Sequence, residues 1–284
     1  MKAVILAAGR GTRLKHLTKN KPKCLLEFMG KTLLKRQIST FRRNEITEII
    51  VVTGYQDQKI KAEGVHFIKN EKYADTNMVV SLFKTRKMWD SPIIVSYGDI
   101  LFEDKVLSSL ISSKKDINVV VDLNGKDFFK ERLGNDYLSD IESLVLDKDN
   151  ETITELGSPH PDDSMIQGQY IGLMKFSPKG LEIMSQVYDQ YKTKFWNKPW
   201  MRSKNFKNAY MTDMLQKIIN RGTKVYAVKV VNGWLEFDTV KDYEKYLKAE
   251  ELLLKVVEMS IKNFIPNLKF SSSNSFHLWR HAIN

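Results

Sequence analysis

Two short blocks near the amino end carry the residue types that handle phosphate. The first is Leu6-Ala7-Ala8-Gly9-Arg10-Gly11-Thr12-Arg13-Leu14, and Lys21-Pro22-Lys23-Cys24-Leu25-Leu26 follows closely. Small residues and two glycines let successive backbone N–H groups approach phosphate oxygens. Leu6, Ala7, Ala8, Gly9, Gly11 and Thr12 are therefore assigned to a nucleotide polyphosphate. Arg13 and Lys23 add positive charge where phosphorus would gain negative charge during group transfer, which makes them the catalytic candidates. Two other phosphate loops are excluded. A dinucleotide loop would want glycine where Leu14 stands, and no Gly-Lys-Ser/Thr follows to make a P-loop. Lys23, as a loop residue beside phosphates, is not expected to hold the core.

The remaining chemistry-bearing types narrow the field. Cys24 is the single cysteine, so neither an internal disulfide nor a cysteine-based zinc site can form. No base accompanies its thiol, which reads as packed. The five histidines show no metal-binding spacing. The net charge of +11 is concentrated: residues 1–45 hold twelve Lys or Arg against Glu27 and Glu45 alone. A nucleic-acid binder would carry a basic tail or stripe. Here the charge surrounds the glycine loop, which suits a small polyphosphate, and part of it is a solvated face.

These residues need a scaffold, and the hydrophobic pattern supplies one. With 284 residues, 42% hydrophobic and 28% charged, the chain can bury a sizeable core. Lys2 to Ala8 is apolar without alternation, as in a strand buried on both faces. Further strand-like runs occur at Glu48 to Thr53, Ile93 to Tyr97, Ile117 to Asp122, Gln169 to Phe176 and Lys224 to Val231. Helical periodicity marks Leu33 to Phe41, Val79 to Trp89, Lys105 to Ser113 and Lys179 to Tyr191. This alternation predicts an α/β fold, a three-layer sandwich on a mixed, mostly parallel sheet with ligands at the strands' carboxyl ends. The expected organisation is one catalytic domain over residues 1–250, with an excursion at about 124–210 that ends in the basic, aromatic stretch Phe195 to Tyr210. Thr239, with Asp242 three positions on, reads as the cap of a helix extending to about Asn263. Residues 251–284 are expected to finish that helix and continue as a flexible tail. The apolar start stops at Gly9-Arg10-Gly11 with no cleavage site, so it is not read as a signal peptide, and a cytoplasmic location is expected.

The glycine block and Lys21-Pro22-Lys23 together resemble the nucleotidyltransferases that activate sugar phosphates and small alkyl phosphates with a nucleoside triphosphate. The resemblance extends to about residue 250. Tyr73-Ala74-Asp75-Thr76-Asn77-Met78, Ser96-Tyr97-Gly98-Asp99 and Gly233-Trp234-Leu235-Glu236-Phe237-Asp238 are similar to the choline-phosphate, aminoethylphosphonate and phosphoglutamine cytidylyltransferases. The sugar enzymes usually carry a Glu-Lys-Pro motif. Thr154-Glu155-Leu156-Gly157 stands there without the lysine, which opposes a sugar-1-phosphate substrate.

The resemblance implies CTP as donor, a small phosphate or phosphonate as acceptor, and Mg²⁺ held by Asp99 and Asp238, with Glu236 a weaker third carboxylate. Either aspartate alone would read as a turn residue or cap; their occurrence with the glycine block favours the metal role. Asn77 and Ser81 are assigned to the nucleobase and ribose, although Asn77 also suits a helix cap and Ser81 a solvent-facing position. Asp122, Glu155, Tyr170, Tyr210 and Trp234 are placed around the acceptor, with core packing the competing role for the aromatics. A cationic nitrogen on the acceptor would suit such carboxylates and aromatic faces. Neither nucleic acid nor membrane is expected as a partner; a homodimer or a longer fused protein is. A non-catalytic nucleotide-binding domain of the same fold is the alternative from another class.

Overall fold

The computed structural model describes residues 1–250, so the expected end of the helix near Asn263 and the tail lie outside the described residues. Nine strands form the central sheet: β1 (Lys2–Leu6), β2 (Ile49–Thr53), β3 (His66–Lys69), β4 (Ile93–Tyr97), β5 (Ile117–Asp122), β6 (Glu142–Leu146), β7 (Thr152–Pro159), β8 (Gln169–Phe176) and β9 (Val225–Val230). Their spatial order is β3-β2-β1-β4-β8-β5-β9-β7-β6. The β3-β2-β1-β4 and β5-β9 pairings are parallel, whereas β8 runs antiparallel to β4 and β5, and β7 antiparallel to β9 and β6. The sheet is mixed and mostly parallel, as the alternation of runs predicts. Residues 124–210 return repeatedly to it, contributing β8 at its centre and the β6–β7 edge.

Strand side chains point alternately to the two faces, and the core divides accordingly. Val4, Ile50, Val52, Ile93 and Val95 pack with helices α2 (Met78–Phe83), α5 (Pro178–Phe195) and α6 (Met211–Asn220). Ala3, Ile5, Ile49, Val51 and Ile94 pack on the opposite face with α1 (Leu33–Arg43) and α3 (Asp104–Ser112). Helix α4 (Gly125–Leu133) lies beside the carboxyl end of β5. Covering both faces explains why β1 reads as a continuous apolar run.

One element differs from its expected form. The helix expected over Val79 to Trp89 ends at Phe83, followed by a 3₁₀ turn at Arg86–Met88. Thr85 causes the break: its hydroxyl donates to the Leu82 carbonyl at 2.7 Å and accepts from Trp89 Nε1 at 2.8 Å. In the Phe195 to Tyr210 stretch, Trp200 and Phe206 are buried against one another with ring centroids 4.7 Å apart, so they pack the core. The Thr239 cap forms as expected. Asp242 N–H donates to Thr239 Oγ1 at 3.2 Å, Thr239 N–H donates to Asp242 Oδ2 at 2.8 Å, and residues 240–250 are helical. Among the described residues no helix is long and apolar enough to cross a membrane.

Candidate active site

The site forms at the carboxyl ends of β1 and β4. Leu6, Ala7, Ala8 and Gly9 line an open cleft together with Lys23, Asp99, Asn77 and Ser81. A Cβ on Gly9 would meet nothing within 4 Å, so this part of the loop faces open space. Gly11 does a different job. Its φ of +69° suits glycine, and a Cβ there would lie 2.9 Å from the Lys23 Cβ. Gly11 therefore lets the lysine lie across the loop instead of lining the cleft itself. Thr12 also lies off the cleft wall, opening the 3₁₀ segment Thr12–Thr18 that carries Arg13.

Lys23 is the hub. Its side chain is 12% exposed, and Nζ donates to Asp99 Oδ2 at 2.6 Å and Asp238 Oδ1 at 2.9 Å. Burial alone would lower the pKa of this ammonium, but the two carboxylates overcome it and hold the pKa above the ordinary lysine value. An antiparallel ribbon explains the convergence: Ile100–Phe102 pairs with Trp234–Glu236, and Phe237 N–H donates to Asp99 O at 3.0 Å. Residues far apart in the chain thus present neighbouring carboxylates. Arg13, which is 61% exposed, reaches Asp238 Oδ2 at 2.6 Å and Asp140 at 3.4 Å.

The pair fits a hard divalent cation, since Mg²⁺ commonly uses one or two carboxylates and completes its shell with water and substrate phosphates. Asp99 Oδ1 is buried with no hydrogen-bond partner among the described residues, an acceptor left for a ligand. Among the described residues no group of three or more metal-binding side chains is preassembled. Glu236 stands nearby, its pKa pushed up to about 8 by burial first and then by Asp238 and Asp99.

The other sequence candidates separate into distinct positions. Asn77 both lines the cleft and caps α2: its Oδ1 accepts from Met78 N–H at 2.9 Å, and its Nδ2 donates to Asn208 O at 3.3 Å. Ser81 does not face solvent; it is buried on the cleft wall, with its Oγ 3.0 Å from Asn70 Nδ2. Cys24 is buried, and desolvation pushes its pKa up to about 12, which leaves an inert thiol.

Four acceptor-side candidates have partners of their own or lie off the cleft. Asp122 and Trp234 satisfy each other: Trp234 Nε1 donates to Asp122 Oδ2 at 2.7 Å, and the other oxygen accepts from the Asn124 and Asn232 amides. With both residues buried, this pair is a buckle between β5 and the ribbon. Glu155 is also committed, paired with Arg202 and accepting from Ser143 and Ser158 hydroxyls at 3.2 and 2.7 Å. Tyr210 is 49% exposed at the start of α6 and does not line the cleft. Tyr170 is buried, its ring edge-on to the cleft residue Tyr97 at 5.9 Å between centroids.

The structure adds residues that had no local signal. Arg132 on α4 reaches Asp238 and Glu236, and Asp140, just after the following 3₁₀ turn, reaches Arg13 and Arg132. The side chain of Glu142, at the start of β6, forms no hydrogen bond or salt bridge among the described residues, and its pKa is pushed up to about 7 by burial first, then by Asp213 and Asp140 against the pull of Arg202. The sign of its effect on stability follows. The unfolded chain loses this proton near its ordinary pKa of 4.5, whereas the folded chain keeps it until about pH 7, so stability falls as pH rises through that window. Glu142→Gln should be neutral at pH 4 and stabilising by roughly 1–3 kcal/mol at pH 8. Urea melts at the two pH values check this; an equal effect at both would show that Glu142 ionises freely.

Comparison with known proteins agrees with this geometry. Residues 3–165 match the family described as the MobA-like NTP transferase domain. The CTP:phosphoglutamine cytidylyltransferase of Campylobacter jejuni is 34% identical over 255 residues, covering 86% of this chain and 98% of that protein. The solved inositol-1-phosphate CTP transferase from T. maritima superposes with a TM-score of 0.65 at 20% identity, over 86% of this chain and 93% of that one. The CTP:phosphocholine cytidylyltransferase from Streptococcus pneumoniae gives 0.63 at 24% identity, over 89% and 98%. At these identities the two structures speak for the fold.

Proposed function

Because the chain belongs to the MobA-like NTP transferases, and is thereby a nucleotidyltransferase, we propose that it is a CTP-dependent cytidylyltransferase acting on a small phosphate or phosphonate. The observation that carries this is the Lys23 ammonium held between Asp99 and Asp238 at the mouth of an open glycine loop. The catalytic unit is residues 1–250. The triphosphate lies along Leu6 to Gly9, with the nucleoside against Asn77 and Ser81. An acceptor oxygen bonds to the α-phosphorus of CTP in line as the bond to pyrophosphate breaks, the leaving oxygen taking the electron pair. Lys23 and Arg13 meet the charge that develops on the phosphoryl oxygens. Asp99 and Asp238 would hold Mg²⁺, which neutralises phosphate charge when bound.

We assign the acceptor a cationic nitrogen. With Asp122, Trp234 and Glu155 committed elsewhere, the support left is aromatic: Tyr97 lines the cleft and the Tyr170 ring packs edge-on to it. A carboxylate pairs with a primary ammonium, and tyrosine faces attract a quaternary one by about 0.5–2 kcal/mol. The test is kcat/KM with CTP and Mg²⁺ across phosphoglutamine, phosphocholine, phosphoethanolamine, aminoethylphosphonate, a neutral hydroxyalkylphosphonate and glucose-1-phosphate. A cationic compound should lead by tenfold or more. A lead of that size for either of the last two would overturn the assignment.

A further inference from the structure

Asp238 has two oxygens in two different settings. Oδ1 faces Lys23 at 2.9 Å, on the Asp99 side. Oδ2 faces Arg13 at 2.6 Å and Arg132 Nη2 at 3.5 Å. The two arginines are not equivalent supports. Arg13 is 61% exposed and follows the glycine loop, so its side chain can leave Asp238 when substrate arrives. The Arg132 side chain is 4% exposed, and its guanidinium is anchored from behind: Nε reaches Asp242 Oδ1 at 2.7 Å and Nη2 reaches Asp242 Oδ2 at 2.9 Å. A two-point fork on a buried carboxylate fixes the plane of the guanidinium, which a lysine ammonium cannot reproduce. Its remaining nitrogen, Nη1, faces Glu236 at 3.3 Å and Asp140 at 3.4 Å.

We propose that Arg132 is a positioning residue for catalysis, holding Asp238 with Oδ1 turned toward Lys23 and Asp99 through its buried fork on Asp242. The inference rests on the reading of Asp238 as part of the transferase machinery. During turnover Lys23 and Arg13 serve the phosphates, and Asp99 and Asp238 would then face one another with like charge. Arg132 is the cation on the protein side of that group that stays in place. Its anchor, Asp242, lies in the Thr239 cap of the helix at residues 240–250, so the same fork ties that helix to the site.

The test uses Arg132→Lys, which keeps the charge and loses the fork, because removing the charge outright would leave buried carboxylates unpaired and risk the fold. In the folded variant kcat should fall by tenfold or more, while KM for CTP changes less than threefold. A crystal structure of the ligand-free variant should show the Asp238 carboxylate rotated, with Oδ1 beyond hydrogen-bonding distance of Lys23. Asp242→Asn should act in the same direction, and the double variant should be no worse than the more impaired single one, since both break one fork. Wild-type kcat in Arg132→Lys, or an unrotated Asp238, would overturn the proposal. If the wild-type chain releases no pyrophosphate with any nucleotide, the transferase reading fails, and Asp238 in the crystal structure decides for or against Arg132 alone.

Discussion

Lys23→Ala should lower kcat/KM by roughly 10²–10³ or more, the scale for losing one charged donor to a transition state. The expectation follows from the position of Nζ, between Asp99 and Asp238 at the end of an open glycine loop. The sequence reading has such a loop lysine holding nothing; burial between two carboxylates changes that. Removing the ammonium leaves Asp99 without an ion-pair partner among the described residues, while Asp238 keeps Arg13 and Arg132. A stability loss of about 1–3 kcal/mol should therefore accompany the loss of rate. Because most of the protein remains folded, purified protein at 25 °C separates the two effects. An unaltered rate in folded Lys23→Ala would remove the lysine from the mechanism.

Asp99→Asn and Asp238→Asn should each take Mg²⁺-dependent turnover to background, and EDTA should do the same to the wild type. An amide keeps the shape of the side chain but loses the charge that competes for a hard cation. The two variants should differ in stability. Asp99 has one oxygen without a partner, so its amide disturbs little beyond Lys23. Asp238 is buried among Lys23, Arg13 and Arg132, and neutralising it leaves more positive charge uncompensated. Thermal melts should accordingly place Asp238→Asn below Asp99→Asn. Activity that persists in EDTA, or full turnover in either variant, would defeat the metal assignment.

What the sequence made legible was local. The strand from Lys2, the glycine block and Lys23 announce themselves through composition within a few residues, and β2, β4, β5 and β8 do so through buried runs. Asp99 and Asp238 were reachable only through resemblance, because the ribbon that joins them pairs residues more than a hundred positions apart. Arg132, Asp140 and Glu142 carry no such mark. They fall where the hydrophobic pattern loosens, and the partners of Arg132, Asp238 and Asp242, come from the far end of the described chain. Asp122 and Trp234 show the opposite error. Acidity and aromaticity suggested a ligand pocket, but a buried indole N–H and a buried carboxylate answer each other's hydrogen-bonding need.

The central claim is transfer, as opposed to nucleotide binding without turnover. Its most direct measurement incubates the chain and Mg²⁺ with each of the four ribonucleoside triphosphates and the acceptor panel, reading pyrophosphate release and the mass of the acceptor together. The predicted result is pyrophosphate in equal amount to an acceptor carrying one CMP, with CTP preferred and the signal lost in Asp99→Asn. CTP binding with neither pyrophosphate nor a cytidylylated acceptor would contradict it and identify a regulatory nucleotide-binding protein of this fold.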